Sequence, residues 1–239
     1  MLEIVAGRGP VFASVGAEST AQAIIYAREA ESAGNDALMA IPPTLTGLPK
    51  QAQLDYFSAL AEATALPLII QDASAYVGQA IPLEELVKLL EKFGPDKILF
   101  KPEAEPLGPN LSALRDATNF QAKIFEGSGG IMLIDSFRRG ITGTMPGMDL
   151  LDGIIEVWHA LQADNDKRAY EVYFPICALT ALQMQAGLDG LLAIEKYLLV
   201  KRGLFTTAKR RKPHKWELDK ETQAETDRLF AMLQGYLSA

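Results

Sequence analysis

Residues 97–106 read KILFKPEAEP. An apolar run of strand length, Ile98-Leu99-Phe100, stops on Lys101, and Pro102, Glu103 and Glu105 follow at once. Runs of the same kind stand on both sides of it, at Pro10–Val15, Asp36–Ile41, Leu66–Gln71, Ala122–Phe125 and Ile141–Met145. Stretches with helical spacing of apolar residues separate them, at about 19–33, 50–64, 82–92, 110–118 and 131–139, with another at 150–163. In the first, Ala21, Ile24, Ile25 and Ala27 follow the helical period. Ser19 and Gln22 read as a capping box, and Gly34 with Asn35 as a C-terminal stop.

Nearly continuous apolar strands are what a parallel sheet covered on both faces requires. Six strand–helix units in series predict an α/β chain, either a doubly wound sheet or a (β/α)8 barrel. After residue 163 the alternation ends, and three helical stretches follow at about 167–185, 188–201 and 220–236. The expected organisation is a serial strand–helix region over residues 1–163 and a C-terminal helical extension over residues 164–239.

The 239 residues carry a net charge of −7, with 49% hydrophobic and 22% charged residues. That is the composition of a globular protein, and its acidic balance argues against nucleic acid or an anionic membrane as main partner. No apolar stretch reaches the ~20 residues of a spanning helix, and no charged segment precedes a long apolar core at the N-terminus. The reading is a cytoplasmic protein with no membrane partner. Cys177 is the single cysteine, so no intrachain disulfide forms. Its FPICALTALQM surroundings predict a core position. His159 and His214 sit in no HxxxH or HExxH spacing, and no metal site is expected. No dinucleotide or P-loop motif is present. EGSGG at 126–130 allows a weak phosphate-binding reading, and KRRKPHK at 209–215 reads as a solvated basic loop.

Reactive groups of parallel βα folds gather at the C-terminal ends of strands. Thr44, Gln71, Asp72, Lys101, Glu103, Glu126, Gly127, Ser128 and Met145 all follow or end predicted strands. A lysine at a buried strand end must give up hydration or find a partner. Two readings of Lys101 stay open. One is an amine whose neutral form is favoured by desolvation and attacks carbonyls. The other is a lysine that snorkels to solvent or forms an ion pair with Glu103 or Glu126.

VFASVGAEST (11–20), LAEATALPLII (60–70), KILFKPEA (97–104), FEGSGG (125–130) and GITGTMPG (140–147) together resemble the dihydrodipicolinate synthase and N-acetylneuraminate lyase family. The resemblance covers nearly the whole chain. It implies a class I aldolase-type (β/α)8 TIM barrel, usually a homo-oligomer (dimer or tetramer). It also implies a small-molecule 2-oxo acid substrate, bound through a lysine Schiff base with no metal or organic cofactor. Lys101 stands where the family has its Schiff-base lysine. In QDASAYV (71–77), Gln71 replaces the catalytic tyrosine, and Tyr76 replaces the arginine that holds a substrate carboxylate in the synthases. In PPTLT (42–46), Leu45 replaces a second tyrosine. Gly127 falls on the glycine of the seventh family strand.

The expected catalytic residues are therefore Lys101 and Gln71, with Gly127, Ser128, Glu103, Thr44 and Met145 toward the substrate. An amide cannot titrate as a phenol can, so synthase and sialic acid lyase activities are not expected. The strand-end motifs resemble the 2-keto-3-deoxy sugar acid dehydratase branch. The first two family strands have no counterpart among the six. At ~30 residues per unit that is about 60 residues, so the chain reads as an N-terminally truncated version. The expected function is a Schiff-base lyase, a dehydratase or aldolase acting on 2-oxo acids such as 2-keto-3-deoxy sugar acids. The alternative is a catalytically inactive relative that binds a ligand or serves as a scaffold.

Overall fold

The computed structural model describes residues 2–45 and 47–238. Among them, after a short α1 (Leu2–Val5), the chain alternates as the sequence predicts. It runs through β1 (Phe12–Ser14), α2 (Thr20–Ser32), β2 (Ala37–Ala40), α3 (Lys50–Ala63), β3 (Leu68–Asp72), α4 (Leu83–Phe93) and β4 (Ile98–Pro102). It continues through α5 (Leu107–Ala117), β5 (Phe125–Glu126), α6 (Leu133–Arg138), β6 (Gly143–Thr144) and α7 (Leu151–Gln162). Three helices come last: α8 (Asp166–Met184), α9 (Gly187–Lys201) and α10 (Lys220–Leu237). No helix among the described residues is long and apolar enough to cross a membrane.

The chain falls into two units. The first runs up to Glu126 and includes Arg139–Gly143; the second comprises Gly127–Arg138 and the residues from Thr144 on. This division follows contacts. The division at residue 163 follows the strand–helix count, which groups α7 with the strands; by contacts α7 packs against α8.

In the first unit β1, β2, β3 and β4 pair in sequence order, all parallel. Side chains alternate between the faces of a strand. Leu38, Ala40, Leu68, Ile70, Ile98 and Phe100 point to the helical layer. There they pack with Ala23 and Ala27 of α2, Phe57 and Leu60 of α3, Leu86 and Leu89 of α4, and Leu111 and Leu114 of α5. The opposite face carries the register-matched row Ser14, Met39, Ile69 and Leu99. Two residues further along the same face, Gln71 and Lys101 are register partners.

Local chemistry explains where these elements stop. Gly34 at φ +87° closes α2; its N–H donates to Glu31 O and the Asn35 N–H to Ala30 O. That is the paired bonding of a Schellman ending. The predicted capping box does not form: Ser19 is the N-cap residue, but its side chain makes no capping bond. Phe100 N donates to Lys123 O on the side of β5, and Phe100 bridges Ile124. Pro102 has the same parity as Phe100 and no N–H to offer. The four-stranded sheet ends there, and β5 and β6 form a separate two-stranded sheet.

In the second unit α8 packs against α7, α9 and α10, with Val172, Ile176 and Leu179 fully buried. Cys177 is half-buried on α8, less enclosed than the core position expected for it. Burial pushes its thiol pKa up, which disfavours the reactive thiolate. The basic loop is not wholly solvated either. The Arg210 side chain is 6% exposed and pairs with Asp189 at 2.8 Å, while Asp189 Oδ2 accepts the Lys215 and Trp216 N–H groups.

Candidate active site

β3 and β4 end side by side, and the sheet register sets Gln71 next to Lys101. The ladder runs one step beyond β4, where Glu103 N donates to the carbonyl O of Asp72, the last residue of β3, at 2.8 Å. This returns the Glu103 side chain to Lys101, and Glu103 Oε1 lies 3.1 Å from Lys101 Nζ. Lys101 is 8% exposed and therefore buried. The ion-pair reading of Lys101 is thus realised with Glu103.

Glu103 Oε2 accepts two further bonds, from Gln71 Nε2 at 2.5 Å and from the Tyr76 hydroxyl at 2.8 Å. Gln71 Nε2 also donates to Tyr76 Oη at 2.9 Å. Three side chains, from two strand ends and one loop, thus meet on the single carboxylate of Glu103. Partial burial, followed by the hydrogen bond and charge of Glu103, raises the Tyr76 phenol far above its ordinary pKa of 10. Tyr76 therefore acts as a hydrogen-bond donor.

Asp72, the last residue of β3, shapes the loop that carries Tyr76. It is 4% exposed. Its Oδ1 accepts Ser74 N at 3.0 Å, and its Oδ2 accepts Ile81 N at 2.8 Å. One carboxylate thus fixes both ends of the loop. Sequence reasoning places Tyr76 only as a replacement for an arginine and misses its bond to Glu103. The available signal is QDASAY, an aspartate whose side chain can satisfy N–H groups of the turn just after it.

Thr44 is also in the first unit, on the loop after β2. Its hydroxyl donates to Glu18 Oε1 at 2.7 Å, and the Thr44 and Leu45 N–H groups donate to the same carboxylate. These bonds from Leu45 and Thr44 hold the Glu18 pKa below its ordinary value. The Thr44 hydroxyl is therefore engaged in tying two loops together. Glu126, the last residue of β5, is fully buried.

Gly127, Ser128 and Met145 belong to the second unit. Ser128 Oγ accepts Met132 N at 2.9 Å, just before α6. The two glycines after Ser128 have a conformational reason. Gly129 and Gly130 have φ of +69° and +98°, a region that favours glycine. A Cβ on Gly130 would also come within 3.1 Å of Ile154 and Ile176. The glycine richness of EGSGG is accounted for by this turn without a phosphate. Among the described residues no group of three or more His, Cys, Asp or Glu is gathered as a metal-ligand set.

Residues 1–143 match the dihydrodipicolinate synthetase family. L-2-keto-3-deoxyarabonate dehydratase from Azospirillum brasilense is 26% identical over 234 residues, which is 94% of this chain and 72% of that protein. 4-Hydroxy-tetrahydrodipicolinate synthase from Acidothermus cellulolyticus is 35% identical over 91 residues, 38% of this chain and 30% of that protein. Among solved structures, the 4-hydroxy-tetrahydrodipicolinate synthase of Methylacidiphilum fumariolicum superposes with a TM-score of 0.84 at 21% identity, covering 99% of this chain and 77% of that one. A catalytic-lysine mutant of the Ruminococcus gnavus sialic acid aldolase gives a TM-score of 0.84 at 20% identity, covering 98% of this chain and 76% of that one. The two structures share the α/β TIM-barrel fold class with this chain. The match over more than half its length makes the chain a member of the dihydrodipicolinate synthetase family, a family of lyases.

Proposed function

We propose that the protein is a Schiff-base lyase acting on 2-oxo acids, and that Lys101 is its nucleophile. The observation that carries this reading is the place of Lys101, buried at the C-terminal end of a parallel strand with an acid at 3.1 Å. The amine attacks the C2 carbonyl, and the resulting iminium draws electrons from C3. Loss of a C3 proton and then of the C4 hydroxyl is dehydration; cleavage of the C3–C4 bond is the retro-aldol alternative. Gln71, which cannot titrate, orients a hydroxyl or water beside the iminium. The similarity to a 2-keto-3-deoxyarabonate dehydratase along 94% of this chain supports a 2-keto-3-deoxy sugar acid as substrate and dehydration as the outcome.

The ion pair with Glu103 is also what a purely structural lysine would make, and it supports the reading of an inactive relative. One experiment separates the two. The protein is mixed with pyruvate, and separately with a 2-keto-3-deoxy sugar acid, reduced with borohydride and weighed. One trapped adduct per chain, absent from Lys101→Ala, is the expected result. No adduct in the unaltered protein, or an adduct that persists in Lys101→Ala, overturns the lyase reading.

A further inference from the structure

Forming a Schiff base requires that protons move. If the Lys101 amine starts as an ammonium, it must give up a proton before it attacks, and the carbinolamine hydroxyl must receive one before it leaves as water. A positioned acid–base group within hydrogen-bond reach supplies such transfers. Glu103 is the acid paired with Lys101, at 3.1 Å through Oε1. Its other oxygen, Oε2, is held by Gln71 Nε2 at 2.5 Å and the Tyr76 hydroxyl at 2.8 Å. The carboxylate thus has one oxygen fixed by two donors and the other presented to the amine. Gln71 has no titrating group, and Tyr76 keeps its proton, so neither competes with Glu103 for this task.

We propose that Glu103 is the proton shuttle of Schiff-base formation at Lys101, and that Tyr76 is the positioning residue that holds Oε1 toward the amine. The inference rests on the lyase reading above. The cycle starts from the ammonium–carboxylate pair. Lys101 passes a proton to Glu103 Oε1, and the free amine bonds to the carbonyl carbon. The C=O π pair moves to oxygen, and one N–H proton is transferred to that oxygen, giving the neutral carbinolamine. Glu103 then returns its proton to the hydroxyl. The C–O bond breaks with release of water, and the nitrogen lone pair closes the iminium. The site ends as it began, with one positive nitrogen beside one carboxylate, and no other reactant is consumed.

The test measures the rate at which pyruvate becomes trapped. The 239-residue chain is mixed with pyruvate, quenched with borohydride at successive times and across a pH series, and weighed. Glu103→Gln keeps the shape of the side chain and is expected to slow adduct formation about 100-fold or more, the lower range of general acid–base contributions. Tyr76→Phe removes one hydroxyl and is expected to slow it about tenfold and to displace the pH profile. Formate added to Glu103→Ala is expected to restore part of the rate in proportion to its concentration, while leaving Lys101→Ala inert. A structural role for Glu103 would show no such rescue.

Glu103→Gln forming adduct at the unaltered rate, or Glu103→Ala unmoved by formate, overturns the shuttle. Tyr76→Phe with unaltered rate and profile overturns the positioning role. Absence of adduct in the unaltered protein defeats the lyase reading itself, and this inference with it. Normal adduct in the unaltered protein with an unimpaired Glu103→Gln defeats this inference alone.

Discussion

Two lysines four residues apart, one just before β4 and one next to its last residue, stand in opposite circumstances. At the N-terminal end Lys97 Nζ donates to the carbonyls of Thr64 and Leu66 at 2.6 and 2.5 Å. At the C-terminal end Lys101 meets the Glu103 carboxylate, which Gln71 and Tyr76 also hold. Burial lowers the Lys97 pKa. A lowered pKa is one mark of a nucleophilic lysine, yet here it falls on a residue whose partners are two backbone carbonyls. Neither carbonyl can accept and return a proton, and the only charge acting there, that of Glu31, favours the ammonium form. On the proposed function, it is the company Lys101 keeps, and not a lowered basicity, that marks it as the reactive amine.

The largest expected effect breaks or upholds that comparison outright. Lys97→Ala is expected to form the borohydride-trapped pyruvate adduct with the same stoichiometry as the unaltered protein, as read by intact mass. Lys101→Ala is expected to form none. Peptide mapping is expected to place the reduced adduct on Lys101. An adduct on Lys97 would reverse the assignment of the two ends.

Much of this arrangement is legible in the sequence. Each of the six strands overlaps its predicted run; for β2, β3 and β4 the reason is that a buried parallel strand is marked by its apolar side chains. Lys101 is legible as the residue on which such a run stops. The connections after the strands are harder to read. α5 begins at Leu107, ahead of the expected Asn110, since Pro109 falls in the first turn, where a helix needs no N–H donor. β5 and β6 shorten to two residues each, and on the β4 side Pro102 has no N–H with which to carry a ladder toward β5. Tyr76 reaches Glu103 because Asp72 folds the intervening loop, and hydrophobic periodicity carries no record of loop geometry. Thr44 is legible as a strand-end hydroxyl, but its engagement by Glu18 is a contact between loops 26 residues apart.

A smaller effect sharpens what Glu103 gains from its cation. The second unit holds a buried acid without one. Asp149 is 4% exposed and accepts Gln183 Nε2 at 2.5 Å. The nearby Arg202 guanidinium pairs with Asp152 and donates to the Met148 and Asp149 carbonyls, not to the Asp149 side chain. Burial, reinforced by the charge of Glu195, raises the Asp149 pKa from 3.8 to about 6. The folded state thus binds this proton more tightly than the unfolded state. The stabilisation is complete below the ordinary value and is lost as pH rises through about 6. Two pH units correspond to about 3 kcal/mol. Asp149→Asn is therefore expected to raise stability by up to about that amount above pH 6 and by little at pH 4, measured by urea denaturation at both values. An equal effect at the two pH values would show that burial of its charge does not set the behaviour of Asp149.

The smallest effect returns to Lys97 and tests whether its role is structural. Lys97→Met keeps an unbranched stem of similar length and removes the donor to Thr64 and Leu66. The site is part-buried, so water can reach the two carbonyls in part, and the loss is expected to be about 1 kcal/mol. The pH dependence gives a sharper signature. Because burial lowers the Lys97 pKa below 10.5, the folded chain holds this proton less tightly than the unfolded chain. Stability from this residue therefore rises as pH climbs through the window between the lowered value and 10.5. Lys97→Met should lose that slope while retaining the adduct at Lys101. If the slope survives in Lys97→Met, another group is responsible for it. If instead adduct formation falls with the slope, the two ends of β4 act as one site, and the contrast between a lysine that seals a strand and one that performs chemistry no longer holds.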